Sequence, residues 1–143
     1  MPYRQLVTVY DGSPEADELL DVVARIARAH RARLTILHLR IVPLKEPLQR
    51  YTPGADQELD AHVAKGEALA DRQRIKAASV VAYVRAYGPA IVAQARICGA
   101  DLLALTVPDI DKMPADRTLS QDVELILRRA ACAVMLYRPA RLE

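Results

Sequence analysis

The sequence has no glycine after Gly99, although its 143 residues include five glycines. It also lacks Trp and Phe, so its core must be built from Leu, Val, Ile and Ala. The absence of an apolar run of about 20 residues argues against a membrane-spanning helix. Because no secretory leader pattern opens the chain, we expect a cytoplasmic protein.

Cysteine and histidine are also sparse, with two and three residues. The spacing of Cys98 and Cys132 matches no zinc or redox motif, so we expect free buried thiols, with a disulfide as the alternative. His30, His38 and His62 do not show the spacing of a metal site, and we expect no metal. A net charge of +2 predicts no nucleic-acid or membrane partner.

Five short apolar runs alternate with helical patterns along the chain. The runs are rich in Val, Leu and Ile and show little polar alternation, as expected for strands buried on both faces. This order predicts an α/β fold with three layers, a parallel five-stranded sheet and a single domain over residues 1–143. The predicted strands are Leu6–Tyr10, Leu34–Leu39, Val80–Val84, Leu102–Val107 and Ala133–Tyr137.

Helix-start and helix-stop signals separate these strands. Ser13 followed by Pro14 predicts an N-cap and first helical residue, and Gly99 predicts the end of a helix that opens near Gly88. The first helix should bury a face of Leu19, Val22, Val23, Ile26 and His30, and the second should run from Asp56 to Ile75. The last helix should start at a capping box, Thr118 to Gln121, and turn Val123, Ile126, Leu127 and Ala130 inward.

Two segments are rich in proline or polar residues and read as irregular connections. Residues 41–55 contain Pro43, Pro47 and Pro53, and are interpreted as a lid or interaction loop or as a disordered segment. Residues 108–117 form the second such segment, just before the last helix.

Open parallel sheets bind ligands beyond the carboxyl ends of their strands, where the strand order reverses. With a strand order of 3-2-1-4-5, this crevice would lie between the first and fourth strands. A helix start in the same place offers free N–H groups to a phosphate. The predicted crevice residues are therefore Tyr10, Asp11, Leu39, Val107, Ser120 and Gln121.

Four segments in this order resemble the universal stress protein family over the whole chain. They are Val9–Ser13, Leu37–Leu39, the Gly99–Leu102 stretch with Ala95 before it, and Leu127–Val134. The resemblance implies the three-layer fold of the adenine-nucleotide alpha hydrolase-like type. It also implies a homodimer in which the last strand, Ala133–Tyr137, pairs with its copy, and pairing would protect an apolar sheet edge.

ATP-binding members of that family resemble one another in a loop of the form Gly, two residues, Gly, nine residues, then Gly with Ser or Thr. Aligned here, the last pair falls on Ser120 and Gln121, and the first two glycines fall near Val107 and Ile110, where no glycine stands. A side chain at such positions blocks close approach of the backbone to phosphate. Asp11 resembles the family's adenosine-side aspartate, or serves as a turn residue before the helix.

The sequence thus favours a non-catalytic, dimeric stress-response module whose ATP phosphate loop is degenerate and which needs no cofactor. The alternative is a sensor of ATP or AMP with a divergent pocket. An enzyme has the least support, because no P-loop, no Gly-x-Ser-x-Gly elbow and no pairing of nucleophile and base can be assembled. Val84-Arg85-Ala86 after the third strand also excludes a receiver domain, which needs an aspartate there.

Overall fold

A computed structural model describes residues 3–107 and 121–140 of the chain. Five parallel strands form one sheet in the order β3-β2-β1-β4-β5, which confirms the predicted fold class and strand order. The strands are β1 (Gln5–Val9), β2 (Arg33–Ile41), β3 (Ala78–Val84), β4 (Leu102–Thr106) and β5 (Ala133–Tyr137). The helices are α1 (Pro14–His30), α2 (Gln57–Arg72), α3 (Tyr87–Ile97) and α4 (Gln121–Arg129).

The sheet is covered on both faces, which explains why its central strands lack polar alternation. On one face, α1 and α2 pack with Leu6, Leu34 and Ile36 into one buried cluster. On the other face, α3 and α4 pack with Val7 and Leu37 into a second cluster. Neighbouring residues of β1 therefore serve opposite cores.

The start of α1 follows the predicted signals. Ser13 Oγ accepts a hydrogen bond from the N–H of Ala16 at 3.1 Å, and Pro14 is the first helical residue. The buried face differs in part from the prediction, because Val22, Ile26 and His30 are only half-buried. Small residues take their place beside the sheet, and the fully buried set is Ala16, Leu19, Leu20, Val23, Ala24 and Ala27.

Other boundaries shift by a few residues. β2 continues past Leu39 to Ile41 because this stretch still pairs with β3. Leu127 is 51% exposed, so its predicted inward position was wrong: it follows the buried Ile126 by one residue and so lies about 100° around the helix. Thr118, Leu119 and Ser120 lie outside the described residues, whereas Gly99 ends α3 with φ +65° as predicted.

The connection from β2 to α2 is held by specific contacts. Arg85 Nη1 donates to the carbonyl oxygens of Pro43 at 2.5 Å and Glu46 at 2.7 Å. The Tyr51 hydroxyl donates to the Asp60 carboxylate, whose Oδ2 also accepts the N–H of Gly54 at 3.0 Å. These contacts favour an ordered surface loop for residues 42–55.

The first turns of α3 and α4 are joined through one carboxylate. Asp122 Oδ1 accepts the N–H of Gly88 at 3.0 Å. A Cβ placed on Gly88 would lie 2.9 Å from that oxygen and 3.1 Å from the Asp122 Cα, too close for an ordinary contact. The approach of the two helices therefore requires glycine at position 88.

We expect Gly88→Ala to destabilise the fold by about 1–3 kcal/mol, because the methyl group must push α4 away from α3. Gly66→Ala in α2 is the matched control. Its Cβ would meet Ile36 and Tyr10 at ordinary contact distances of 3.4 to 3.5 Å, and alanine is the better helix former by about 1 kcal/mol. Denaturant unfolding of the two variants checks this, and equal effects would contradict it.

Candidate functional site

A surface cavity of about 330 Å³ opens beyond the carboxyl ends of β1 and β2. This is the position where open parallel sheets bind ligands. Its volume lies at the lower end of the range of roughly 300–1,000 Å³ that is typical of small-molecule sites. Residues from two strand ends and from the first turns of α2 and α3 line it: Tyr10, Asp11, Leu39, Arg40, Ile41, Glu58, Leu59, His62 and Tyr87.

Tyr10 forms the floor of this crevice. Its side chain is 2% exposed, and its hydroxyl donates to Asp17 Oδ1 at 2.5 Å. Lys65 Nζ contacts the other Asp17 oxygen at 2.8 Å, which ties α2 to α1 beneath the site. Burial, followed by the bond to Asp17, raises the pKa of Tyr10, so this phenol stays protonated.

Asp11 plays the turn role and also faces the cavity. Its Oδ1 accepts the N–H of Ser13 at 2.9 Å and closes the turn that leads into α1. Its carboxylate is exposed and borders the crevice, so the other oxygen is available to a ligand hydroxyl. The two interpretations of Asp11 are therefore compatible.

His62 stands against the same turn. A Cβ on Gly12 would lie 2.5 Å from His62 Nε2, and Gly12 has φ +79°, so the turn needs glycine for both space and conformation. The His62 ring also meets the Tyr10 ring edge-on, with the ring centroids 6.4 Å apart. This packing fixes one wall of the crevice.

Leu39 presents backbone groups to the crevice. Leu37 C=O accepts the N–H of Tyr10 at 2.9 Å, at the point where β1 ends. Residues two apart on a strand direct their peptide groups to the same side, so the N–H and C=O of Leu39 face the space beyond β1. One donor and one acceptor side by side match the edge of a purine base.

The charge around the cavity is mostly negative or neutralised. Asp11 and Glu58 line it, and the Arg40 guanidinium is engaged by Asp56 at 3.0 Å and by Glu58 at 3.3 Å. Burial, then the charges of Asp11 and Asp122, raises the pKa of Tyr87 to about 12, so its hydroxyl remains a hydrogen-bond donor. The described part of the crevice offers hydrogen bonds rather than free positive charge.

His38 lies beneath the crevice, behind Tyr10. It is 1% exposed, its ring meets Tyr10 edge-on at 5.7 Å, and neither ring nitrogen has a hydrogen-bond partner among the described residues. Burial, followed by the nearby His62, lowers the pKa of His38 to about 4. The imidazole is therefore neutral at physiological pH.

The sequence profile of the universal stress protein family matches residues 2–138. The chain belongs to the universal stress protein family. Comparison with curated protein sequences gave no significant match.

Solved structures of universal stress proteins share the fold over nearly the full chain. One, in complex with cAMP, has a TM-score of 0.73 at 21% identity and covers 96% of this chain and 98% of its own. One from Archaeoglobus fulgidus, in complex with dAMP, has a TM-score of 0.69 at 15% identity, with coverages of 95% and 98%. UspA from Lactobacillus plantarum has a TM-score of 0.66 at 22% identity, with coverages of 96% and 99%.

Three of the six predicted crevice residues of this universal stress protein come together at the cavity: Tyr10, Asp11 and Leu39. Val107 donates its N–H to Tyr137 C=O at 2.9 Å and does not line the cavity. Gln121 is the exposed first residue of α4 and also lies off the lining, and Ser120 lies outside the described residues. The structure thus describes the part of the predicted site that follows β1 and β2.

Six lining residues were not predicted: Arg40, Ile41, Glu58, Leu59, His62 and Tyr87. The sequence held a signal for the four residues on helices, because the starts of α2 and α3 must reach the same sheet edge as the strand ends in a parallel fold.

The two cysteines are free and half-buried, and burial raises the pKa of both thiols. No helix among the described residues is long and apolar enough to cross a membrane.

We expect His38 to make this protein sensitive to acid. Because the unfolded chain binds a proton with a pKa of 6.5 and the folded chain only near 4, stability should fall as the pH drops from 6.5 towards 4. The loss should reach about 3 kcal/mol at pH 4. It should shrink strongly in His38→Leu and largely persist in His62→Gln, which removes only the lesser cause of the lowered His38 pKa. Denaturant unfolding across this pH range measures it, and an unchanged acid loss in His38→Leu would contradict the assignment.

Proposed function

We propose that this chain is a non-catalytic universal-stress-type domain of the cytoplasm that binds an adenine nucleotide with one phosphate group, such as AMP, in preference to ATP. The observation that carries the proposal is the crevice itself. Its floor is Tyr10, its hydrogen-bonding edge is the Leu39 backbone, and its acceptor is Asp11.

The shape and chemistry of the crevice suit a nucleoside. The Leu39 peptide groups can pair with the base edge, and the exposed Asp11 oxygen can accept hydrogen bonds from ribose hydroxyls. Leu59 and His62 supply a flat apolar and aromatic wall for the ring. Each of these interactions lies on the adenosine side of a nucleotide.

The charged residues around the crevice favour a ligand whose phosphate group carries a small negative charge. Asp11 and Glu58 repel additional anionic groups, while Arg40 and Lys65 are held in ion pairs. Because no glycine follows Gly99, the segment before α4 cannot supply a glycine nest for a triphosphate. Two structural relatives are complexes with cAMP and dAMP, ligands that each carry one phosphate group.

We expect AMP to bind with a Kd below about 100 μM, or roughly 5.5 kcal/mol, and ATP to bind at least about tenfold more weakly. Asp11→Asn should weaken AMP about tenfold, because the amide oxygen still closes the Ser13 turn while the carboxylate charge is lost. Asp21→Asn is the matched control, because Asp21 lies outside the cavity lining, where it contacts Arg25 and Gln73. Calorimetric titration of the wild type and of both aspartate variants with AMP and ATP measures these affinities.

Tighter binding of ATP than of AMP would contradict the charge argument, and equal losses in the two aspartate variants would contradict the site. Absence of binding by any adenine nucleotide would leave the second candidate, a module that acts only by association with itself or a partner. The nucleotides should also be recovered chemically unchanged after incubation, as a non-catalytic role requires.

We further propose that the single domain forms a homodimer through β5. The order of the sheet leaves β5 at an edge, where its outer peptide groups lack a strand partner among the described residues. Tyr137 C=O and Ala133 N–H bond towards β4, so the alternate residues Val134 and Leu136 present their peptide groups outward. Pairing of two such edges about a two-fold axis would satisfy them.

We expect the wild-type chain to sediment as a dimer at micromolar concentration and Leu136→Pro to sediment as a monomer. Proline removes the outward N–H and is tolerated at an edge. Leu136→Ala keeps the N–H while losing similar packing, so it should remain dimeric. A wild-type monomer, or equal behaviour of the two variants, would refute pairing through this strand.

A further inference from the structure

Although the net charge is only +2, the positively charged residues are concentrated at one end of the sheet. Ten of the 20 lysines and arginines lie at the end of the sheet opposite the crevice, where helices finish and strands begin. We call this surface the basic face. Its members are Arg4, Arg28, Arg31, Arg33, Arg72, Arg74, Lys76, Arg96, Arg128 and Arg129.

Parallel topology places these residues at one end. All five strands run in the same direction, so the residues that precede β1, β2 and β3 share an end with the last turns of the four helices. These segments, together with the residues before β4, contain only two acidic residues, Asp71 and Asp101. Asp101 Oδ2 accepts the backbone N–H groups of Arg4 and Gln5, so it is committed to holding the start of β1.

In the part of the chain that the structure describes, most cations of the basic face form no ion pair with an acidic side chain, whereas several cations near the crevice do. All ten are exposed, and within residues 3–107 and 121–140 only Arg128 forms a side-chain ion pair, with Glu124 at 2.9 Å. At the crevice end, Arg40 and Lys65 are in ion pairs and Arg85 binds loop carbonyls. Lys45 and Arg50, in the connection from β2 to α2, are also exposed and unpaired among the described residues, but they are two cations against the nine of the basic face. The basic face thus holds most of the uncommitted positive charge of the described residues.

The favourable interaction of cations with helix C-terminal ends explains only some of the residues of the basic face. Arg4, Arg33 and Lys76 stand at or before strand starts, where there is no helix dipole to complement. Arg31 and Arg74 have φ of +54° and +60°, the left-handed region in which glycine costs least. The equivalent position after α3 is filled by Gly99. The chain therefore keeps a cation at two positions where glycine would relieve backbone strain.

We propose that the basic face binds the sugar–phosphate backbone of single-stranded nucleic acid without reading its sequence. Nine of its ten cations are arginines, whose planar guanidinium groups match phosphate oxygens. The charges cover a broad end face, and among the described residues no helix or ribbon projects from it that could enter a duplex groove. A flexible single strand can follow charges spread in this way.

The aromatic and apolar residues of this end agree with backbone recognition. Tyr3 is half-buried and packs against the His30 ring at 5.4 Å, so it is not a free stacking platform for bases. Ile97 and Leu127 are exposed at this end, but they belong to the α3–α4 layer. Within residues 3–107 and 121–140, no exposed large apolar side chain lies beside the cations of the α1–α2 layer and the strand starts, whereas a membrane-binding surface needs one.

The test compares two triple variants that remove the same amount of charge. One variant removes three of the ten charges of the basic face by combining Arg31→Gly, Arg33→Gln and Arg74→Gly. Its two glycines fit the left-handed backbone positions, so we expect the fold to be retained. Lys45→Gln with Arg50→Gln and Arg138→Gln discharges the crevice end as the control. Binding of labelled oligo-uridine is followed by fluorescence anisotropy over a series of KCl concentrations, with thermal unfolding and AMP titration in parallel.

We expect the wild type and the control to bind oligo-uridine with a Kd of about 10⁻⁴–10⁻⁶ M that rises with salt. The basic-face variant should bind at least about tenfold more weakly, with a log–log salt slope that is shallower by about 2. Its AMP affinity should be unchanged, and its thermal stability should be equal or higher because glycine relieves the strain at positions 31 and 74. The AMP titration separates this proposal from the function proposed above, so either can fail alone.

Three results would overturn the proposal. The first is the absence of oligo-uridine binding tighter than about 10⁻⁴ M at low salt. The second is equal weakening in the two variants, which would indicate a response to net charge alone. The third is binding to vesicles of phosphatidylcholine and phosphatidylserine without binding to oligo-uridine, which would identify a lipid surface instead.

Discussion

The common direction of the five strands is the constraint on which the rest of the structure depends. Once every strand of the sheet runs the same way, all helix starts gather at one end and all helix finishes at the other. Acidic residues in the first turns and basic residues in the last turns of α1, α2 and α4 suit the helix dipoles. This pattern, present in three of the four described helices, gives the domain an acidic end at the crevice and a basic end opposite it.

The crevice combines open hydrogen-bonding groups with cations that are already engaged. Lys65 is bound to Asp17 below Tyr10, and Arg40 is bound to Asp56 and Glu58 at the rim. These pairs hold α2 against α1 and against the extended end of β2. They stabilise the walls of the site, and they also leave little positive charge for a polyphosphate. In the proposed nucleotide site, the same side chains would thus both support the pocket and select against highly charged ligands.

Most of the fold could be predicted from the sequence, because buried strands and helix caps are local signals. Ser13 and Pro14 fixed the start of α1, and β5 matches its predicted range Ala133–Tyr137. The site was predicted only where it follows strands, at Tyr10, Asp11 and Leu39. His62 and Tyr87 were missed because their role depends on how far α2 and α3 lean over the strand ends, which is a tertiary property. Leu127 was misplaced because a nine-residue helix shows too few turns to define its buried face.

The Asp122–Gly88 bond has a mechanical consequence. It fastens the opening turn of α4 to the opening turn of α3, and the tight glycine contact leaves no room for the helices to slide closer. Any movement of α4 must therefore either break this bond or carry α3 along, so the two helices on this side of the sheet are coupled at their first turns.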